Sequence, residues 1–220
     1  MTKPERRKYE KRPSQYFIDD QSPAVTTDIV KYAFRGITFT FETGSGIFSK
    51  ERIDTGSEIM LQEFCKHEQP EPGSCIMDLG CGYGFIGIVL GAVFPDINIT
   101  FIEINGKAMK FASRNVQNNG IRNVTMLNID FTSDAGHNLL ASKSFDYILF
   151  NPPVRAGKNI MENMIRAAFD LQKPDGVFYI VIKTSLGAKS WQSSFESNDT
   201  IETQLYKKGG YRVFKISRKC

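Results

Sequence analysis

The segment "CIMDLGCGYGFIGIVLGAVF", Cys75–Phe94, holds the key to the architecture. Its first five residues form an apolar run interrupted only by Asp78, the pattern of a strand buried on both faces. Glycines at 80, 82 and 84 then turn the chain. The apolar run from Phe85 to Phe94 that follows suits a helix packed against that strand. Strand, glycine turn and helix together open a βαβ unit.

The same alternation continues downstream. "INITFIEIN" (97–105) is a second strand, and "GKAMKFASRNVQNNG" (106–120) is a helix closed by Asn119-Gly120. "VTMLNID" (124–130) is a third strand, followed by a polar loop. "FDYILFN" (145–151) is a fourth strand, and "NIMENMIRAAFDLQ" (159–172) is a helix ended by Pro174 and Gly176. "GVFYIVIK" (176–183) is a fifth strand and "KSWQSSFES" (189–197) a helix. "TIETQLYKK" and "YRVFKIS" flank Gly209-Gly210 as a β-hairpin.

Upstream, "DTGSEIMLQEFCKH" from Asp54 reads as a helix with apolar residues at 59, 60, 61 and 64. "ITFTFETGSGIFS" (37–49) alternates like a strand and breaks at Gly44 and Gly46. The expected fold is α/β and Rossmann-like: an open, mostly parallel sheet with an antiparallel C-terminal hairpin strand and helices on both faces.

At 220 residues, with 41% hydrophobic and 24% charged side chains, the chain suits one globular domain. Residues 1–12, "MTKPERRKYEKR", hold six Lys/Arg and two Glu, which accounts for the whole net charge of +4. Residues 1–14 are expected to form a basic arm suited to an anionic partner. Residues 15–220 would form the domain, with 15–50 as a strand-containing extension. The four cysteines show no C-x-x-C pairing and the two histidines are isolated, which argues against a metal site and for a reducing compartment. The start is charged, and the longest nearly apolar run, "YGFIGIVLGAVF", has 12 residues, too few to cross a membrane. A cytoplasmic location is expected.

The glycine loop fits two frames. Gly82-x-Gly84-x-x-Gly87, with Glu103 about 20 residues on, matches a dinucleotide fingerprint. Gly80-x-Gly82-x-Gly84 preceded by Asp78 instead fits a loop for S-adenosylmethionine. Charge separates them. A pyrophosphate seeks the positive N-terminus of a helix, and the Asp78 carboxylate beside that loop would repel it. S-adenosylmethionine has no phosphate and carries an ammonium and a sulfonium, which Asp78 would favour. Glu103 would hold the ribose hydroxyls, and Asp130 could accept from the adenine amine.

In a doubly wound sheet, ligands sit beyond the carboxyl ends of strands at the switch in strand order. The fourth strand, expected beside the first, ends on Asn151-Pro152-Pro153. Pro152 and Pro153 have fixed φ and no backbone donors, and Asn151 before them is pushed toward extended backbone. The side chain of Asn151 is therefore presented stiffly. An exocyclic amine is a poor nucleophile because its lone pair is delocalised. The amide oxygen of Asn151 and the carbonyl of Pro152 could accept its two N–H bonds, orient the lone pair and stabilise the developing positive charge. No strong base is needed.

With "DLGCGYG", "FDYILFNPPVRAGK", "KTSLGAKS", "GGYRVFKISRK" and "GIFSKERIDTGSEIML", the chain resembles the methyltransferase small domain of the RsmC-like family over residues 15–218. That family comprises small-subunit ribosomal RNA guanine-N2 methyltransferases of class I fold, and this chain resembles its single-domain members. The resemblance implies a cofactor site at Asp78, Gly80, Cys81, Gly82, Gly84, Glu103, Ile104, Asp130 and Asn151. It implies that Asn151, Pro152 and Pro153 hold the target amine, with Val154, Arg155 and Lys158 on the substrate. Val154 stands where many Asn-Pro-Pro enzymes carry an aromatic, so base stacking would come from elsewhere, Phe48 or Phe150. Candidates to meet RNA phosphates are the arm, Arg155, Lys158, Lys207, Lys208 and Arg212, and of these Arg155 and Lys158 are expected to do so because they lie next to Asn151. The expected partner is ribosomal RNA or the small ribosomal subunit. Adenine or a protein glutamine as acceptor shares the Asn-Pro-Pro chemistry, and a non-catalytic RNA-binding module is the alternative outside the enzymes.

Overall fold

The computed structural model describes residues 27–47, 52–153 and 157–219. The expected arm (1–14), Phe48, Val154 and Arg155 lie outside the described residues.

Seven strands form one sheet in the order β5-β4-β3-β6-β7-β9-β8. They are β3 (Cys75–Leu79), β4 (Asn98–Glu103), β5 (Val124–Asn128), β6 (Phe145–Phe150), β7 (Gln172–Lys183), β8 (Ile201–Lys208) and β9 (Tyr211–Arg218). Strands β3 to β7 pair in parallel, whereas β9 is antiparallel to both β7 and β8. The sheet runs outward in both directions from the β3–β6 pair, so the switch in strand order falls beside β3. This is the class I methyltransferase arrangement.

The central strands are nearly all apolar because helices cover both faces. One layer packs α1 (Thr55–His67), α2 (Phe85–Val93) and α3 (Gly106–Asn118) around Phe64, Phe101, Phe111 and Tyr179. The other packs α5 (Lys158–Asp170) and α6 (Ala188–Glu196) over Phe150, Phe178 and Phe214.

Three details differ from the sequence expectation. Strand β1 (Thr27–Phe34), not anticipated, pairs antiparallel with β2 (Ile37–Gly44) in a separate hairpin. The loop after β5 contains a short helix, α4 (Asp134–Leu140), capped by Ser133. Strand β7 begins before Pro174, at Gln172, because a register shift opposite Phe145 and Tyr147 accommodates the proline.

The hairpin is fastened to the domain by an asparagine of α3 and the asparagine that caps its C-terminus, which imitate a neighbouring strand. Asn115 donates to the Glu42 carbonyl (2.8 Å) and accepts from the Glu42 amide (2.7 Å). One helical turn on, Asn119 does the same with Thr40, at 2.9 and 3.2 Å. Each carboxamide thus satisfies backbone groups on the free edge of β2.

Candidate active site

The glycine loop joins β3 to α2 at the switch in strand order. Asp78, fully buried at the end of β3, accepts a hydrogen bond from the Gly87 amide at 2.9 Å. Gly87 lies in the first turn of α2, so a carboxylate already faces that helix's positive end. A pyrophosphate there would compete with that carboxyl group for the helix's N-terminal amides, which disfavours the dinucleotide frame. Gly87 serves packing: an added Cβ would lie 2.4 Å from the Phe101 ring. Burial pushes the Asp78 carboxyl up to about 7, with the Gly87 N–H opposing and the Glu103 charge adding.

Gly80 and Gly82 hold the loop in left-handed backbone, at φ +67° and +58°. Their outer side is open. Nothing lies within 4 Å of where a Cβ on Gly82 would stand, and one on Gly80 would meet only the Phe150 ring, at 3.9 Å. The Gly80 and Cys81 amides donate to the Ile102 carbonyl, which ties the loop to β4. At the end of β4, Glu103 accepts from the Gly82 amide through Oε2 and from the Asn105 amide through Oε1, each at 2.9 Å. Burial raises the Glu103 carboxyl, and those two N–H groups oppose the shift.

Gly84, buried at φ +92°, begins α2. Cys81 is buried, and burial pushes its thiol well up. The half-buried Ile104 offers its carbonyl to Asn128 at 3.1 Å. Asp130 is exposed, and its Oδ1 caps the following turn through the Thr132 amide and hydroxyl at 2.9 and 2.8 Å. An open glycine cradle flanked by two carboxylates, one on the helix terminus, suits a cationic, phosphate-free ligand such as S-adenosylmethionine.

The parallel register sets Leu79 opposite Phe150, so Gly80 and Asn151 emerge side by side at the same sheet edge. The Asn151 amide nitrogen donates to Asp54 Oδ2 and to Ser57 Oγ, each at 2.8 Å. Asp54 is also the N-cap of α1, accepting from the Ser57 amide at 2.7 Å. Both amide protons of Asn151 are thereby used, and its Oδ1 is the atom left to accept. Asp54 and Ser57 were missed as site residues. Asp54 read simply as a helix start; the segment 46–61 that holds both residues was among those resembling the family, but its spacing does not announce a partner 97 positions away.

The C-terminal hairpin closes this side of the site. Its turn docks on α1: the Tyr211 ring lies against Gly56, where a Cβ would stand 3.0 Å from it, and Lys208 donates to Gln62 at 2.8 Å. The segments containing "DTGS" and "GGYR" therefore meet beside Asn151. Phe150 is not available to stack on a base. It is fully buried, with its ring 6.5 Å from that of Phe178, because it is the last inward residue of β6. Among the basic candidates, Lys158 pairs with Glu162 at 3.5 Å, Arg212 donates to Gln192, and Lys207 is exposed.

Among the described residues, no cluster of His, Cys, Asp or Glu could hold a metal ion, and no helix is long and apolar enough to cross a membrane.

The family model for the methyltransferase small domain matches residues 38–215. The chain is 34% identical over 207 residues to "Uncharacterized protein YbxB" of Bacillus subtilis (strain 168), covering 93% of this chain and 99% of that protein. It is 30% identical over 159 residues to "Ribosomal RNA small subunit methyltransferase C" of Hahella chejuensis, covering 70% of this chain but 43% of that protein. The chain thus spans less than half the length of that relative. Among solved structures it resembles the 16S rRNA N2 methyltransferase RsmC of T. thermophilus, in complex with AdoMet and guanosine. There the TM-score is 0.73 at 22% identity, over 88% of this chain and 51% of that one, a likeness of fold.

Proposed function

The chain belongs to the methyltransferase small domain family as an RsmC-like member, and we propose that it methylates the exocyclic N2 amine of a guanine in small-subunit (16S) ribosomal RNA. It is an S-adenosylmethionine-dependent methyltransferase. When bound, S-adenosylmethionine supplies an electrophilic methyl group on a sulfonium.

One observation carries the choice of acceptor. Asn151 stands beside the glycine loop with both amide protons committed to Asp54 and Ser57. It would offer the site an acceptor, Oδ1, with the Pro152 carbonyl as the second. Two acceptors suit an amine with two N–H bonds. Hydrogen bonds to both favour a pyramidal nitrogen whose lone pair is withdrawn from conjugation with the ring, and they stabilise the positive charge that builds on nitrogen. The methylated nitrogen is acidic and loses its proton to water, so a strong base is unnecessary.

The other residues would divide the remaining work. Asp78 and the loop from Gly80 to Gly84, including Cys81, would receive the cationic end of the donor. Glu103, with two of about four acceptor sites already used, would take the ribose hydroxyls. Ile104 and Asp130 would border the adenine. Val154, Arg155 and Lys158 would follow Asn151 onto the RNA, Arg155 and Lys158 through phosphate. The paired acceptors fit any exocyclic amine, and guanine N2 is favoured among these by similarity to the guanine-N2 methyltransferases.

The test is transfer of labelled methyl from S-adenosylmethionine to small ribosomal subunits and to free small-subunit RNA, both from cells lacking the protein, followed by nucleoside analysis. N2-methylguanosine is expected. Label in N6-methyladenosine, or in protein glutamine, would keep the chemistry and replace the substrate.

A further inference from the structure

Asn151 can act as an acceptor only in one of its two amide orientations. With the carboxamide flipped, N–H groups would confront the N–H groups of the incoming amine, and the contact would be repulsive. The backbone of Asn151 does not settle this choice, since rotation about the last side-chain bond is nearly two-fold. The neighbours on α1 settle it. The carboxylate of Asp54 can only accept, and it stands 2.8 Å from Nδ2. Ser57 Oγ stands at the same distance from the same nitrogen.

These two groups are themselves held. Asp54 Oδ2 also accepts from the Ser57 amide at 2.7 Å, so the cap of α1 fixes the oxygen that faces Asn151. Gly56 between them lets the Tyr211 ring close over this turn: a Cβ there would stand 3.0 Å from the ring and 3.1 Å from Asp54 Oδ2. A flipped amide would put its oxygen against the carboxylate and forfeit the charge-assisted bond to Asp54, while the Ser57 hydroxyl, which can rotate to donate or accept, holds the carboxamide in place in either orientation.

We propose that Asp54 and Ser57 are positioning residues that hold the Asn151 carboxamide with Oδ1 turned toward the acceptor amine. The proposal rests on Asn151 being the residue that holds that amine. It adds an electronic effect: a carboxylate drawing on the N–H bonds polarises the amide and makes Oδ1 a stronger acceptor. That gain grows as charge builds on the amine, so it belongs to the transition state and acts on kcat more than on KM.

The experiment compares the full chain with Asp54→Ser, Asp54→Asn, Ser57→Ala and Asn151→Ala. Serine at 54 keeps an N-cap for α1 but is too short to reach Asn151, which separates capping from positioning. Asparagine at 54 can keep both bonds without the charge. Methyl transfer to small-subunit RNA, S-adenosylmethionine affinity, Tm and the side-chain 15N amide signals of Asn151 are read together. For Asp54→Ser, kcat should fall by at least about tenfold while KM for RNA and cofactor affinity move less than about threefold.

Asp54→Asn should recover part of the loss, and Ser57→Ala, with the cap intact, should lower kcat several-fold. The Asn151 amide protons should be protected from exchange in the native protein and lose protection in Asp54→Ser. Native kcat in both Asp54→Ser and Ser57→Ala, beside an inactive Asn151→Ala, would overturn the positioning role alone. An active Asn151→Ala would overturn it together with the catalytic role of Asn151.

Discussion

The Asn115 amide nitrogen donates to the Tyr83 carbonyl at 2.9 Å, in the middle of the glycine loop. The same side chain, fully buried, holds both backbone groups of Glu42. One residue of α3 therefore joins the N-terminal hairpin to the loop that would receive the methyl donor.

Replacing Asn115 by Ala would leave the Glu42 amide and carbonyl and the Tyr83 carbonyl without this partner. A loss of about 3 kcal/mol is expected, a fall in Tm of roughly 6–12 °C for a chain of this length. Cofactor affinity should weaken as well, because Tyr83 sits in the loop. Calorimetry on the variant measures both, and an unchanged Tm would show that the hairpin is not fastened through Asn115.

Gly87→Ala tests the close packing of α2 on β4. The new methyl would stand 2.4 and 2.6 Å from atoms of the buried Phe101 ring and 3.2 Å from Asp78 Oδ2. Overpacking of this kind costs about 1–3 kcal/mol, and urea unfolding should place the variant near the upper end. Shifting α2 also loosens the Gly87–Asp78 bond, so cofactor affinity should fall in parallel.

Asp78 gives a pH dependence of known sign. Burial lifts its carboxyl to about 7 in the fold, against an ordinary value of roughly 4 when unfolded. Between those values the folded state binds more protons, so this group's contribution to stability is full below about pH 4 and lost as pH rises through about 7. A cationic ligand favours the ionised form, so its binding should release protons near neutrality and tighten from pH 6 to 8. Calorimetry in buffers of different ionisation enthalpy reads that release. Asp78→Asn should abolish both the stability slope and the proton release.

Glu103→Gln keeps shape but turns one of the two acceptors facing Gly82 and Asn105 into a donor. The loop must shift to relieve that contact, and the ribose loses a charged partner. Affinity for S-adenosylmethionine should fall about 10–100-fold, the equivalent of one hydrogen bond to a charged group. Affinity within about twofold of native would remove Glu103 from the cofactor site.

The parallel core was legible because strands covered on both faces read as unbroken apolar runs between glycine turns, as in Cys75–Leu79 and Phe145–Phe150. Strand β1 escaped although Val30, Tyr32 and Phe34 alternate inward. Its turn is Arg35-Gly36, with Arg35 at φ +49°, in place of the usual Asn-Gly signal. The helix α4 has only seven residues and buries only Gly136 and Leu140, too little for periodicity to register. The glycine loop, Glu103 and Asn151 were legible as candidates because the proposed chemistry depends on residue types at fixed spacing. The hold of Asp54 and Ser57 on Asn151 was not, because it is a tertiary contact between the start of α1 and the end of β6.

The role of Asn151 is tested most directly by measuring S-adenosylmethionine affinity and single-turnover methyl transfer to small-subunit RNA for native protein and Asn151→Ala side by side. Affinity should stay within about threefold, while transfer to guanine N2 should fall by about 100-fold or more, the scale of losing an acceptor that acts mainly in the transition state. Transfer at the native rate would contradict the assignment of Asn151 as the residue that holds the amine.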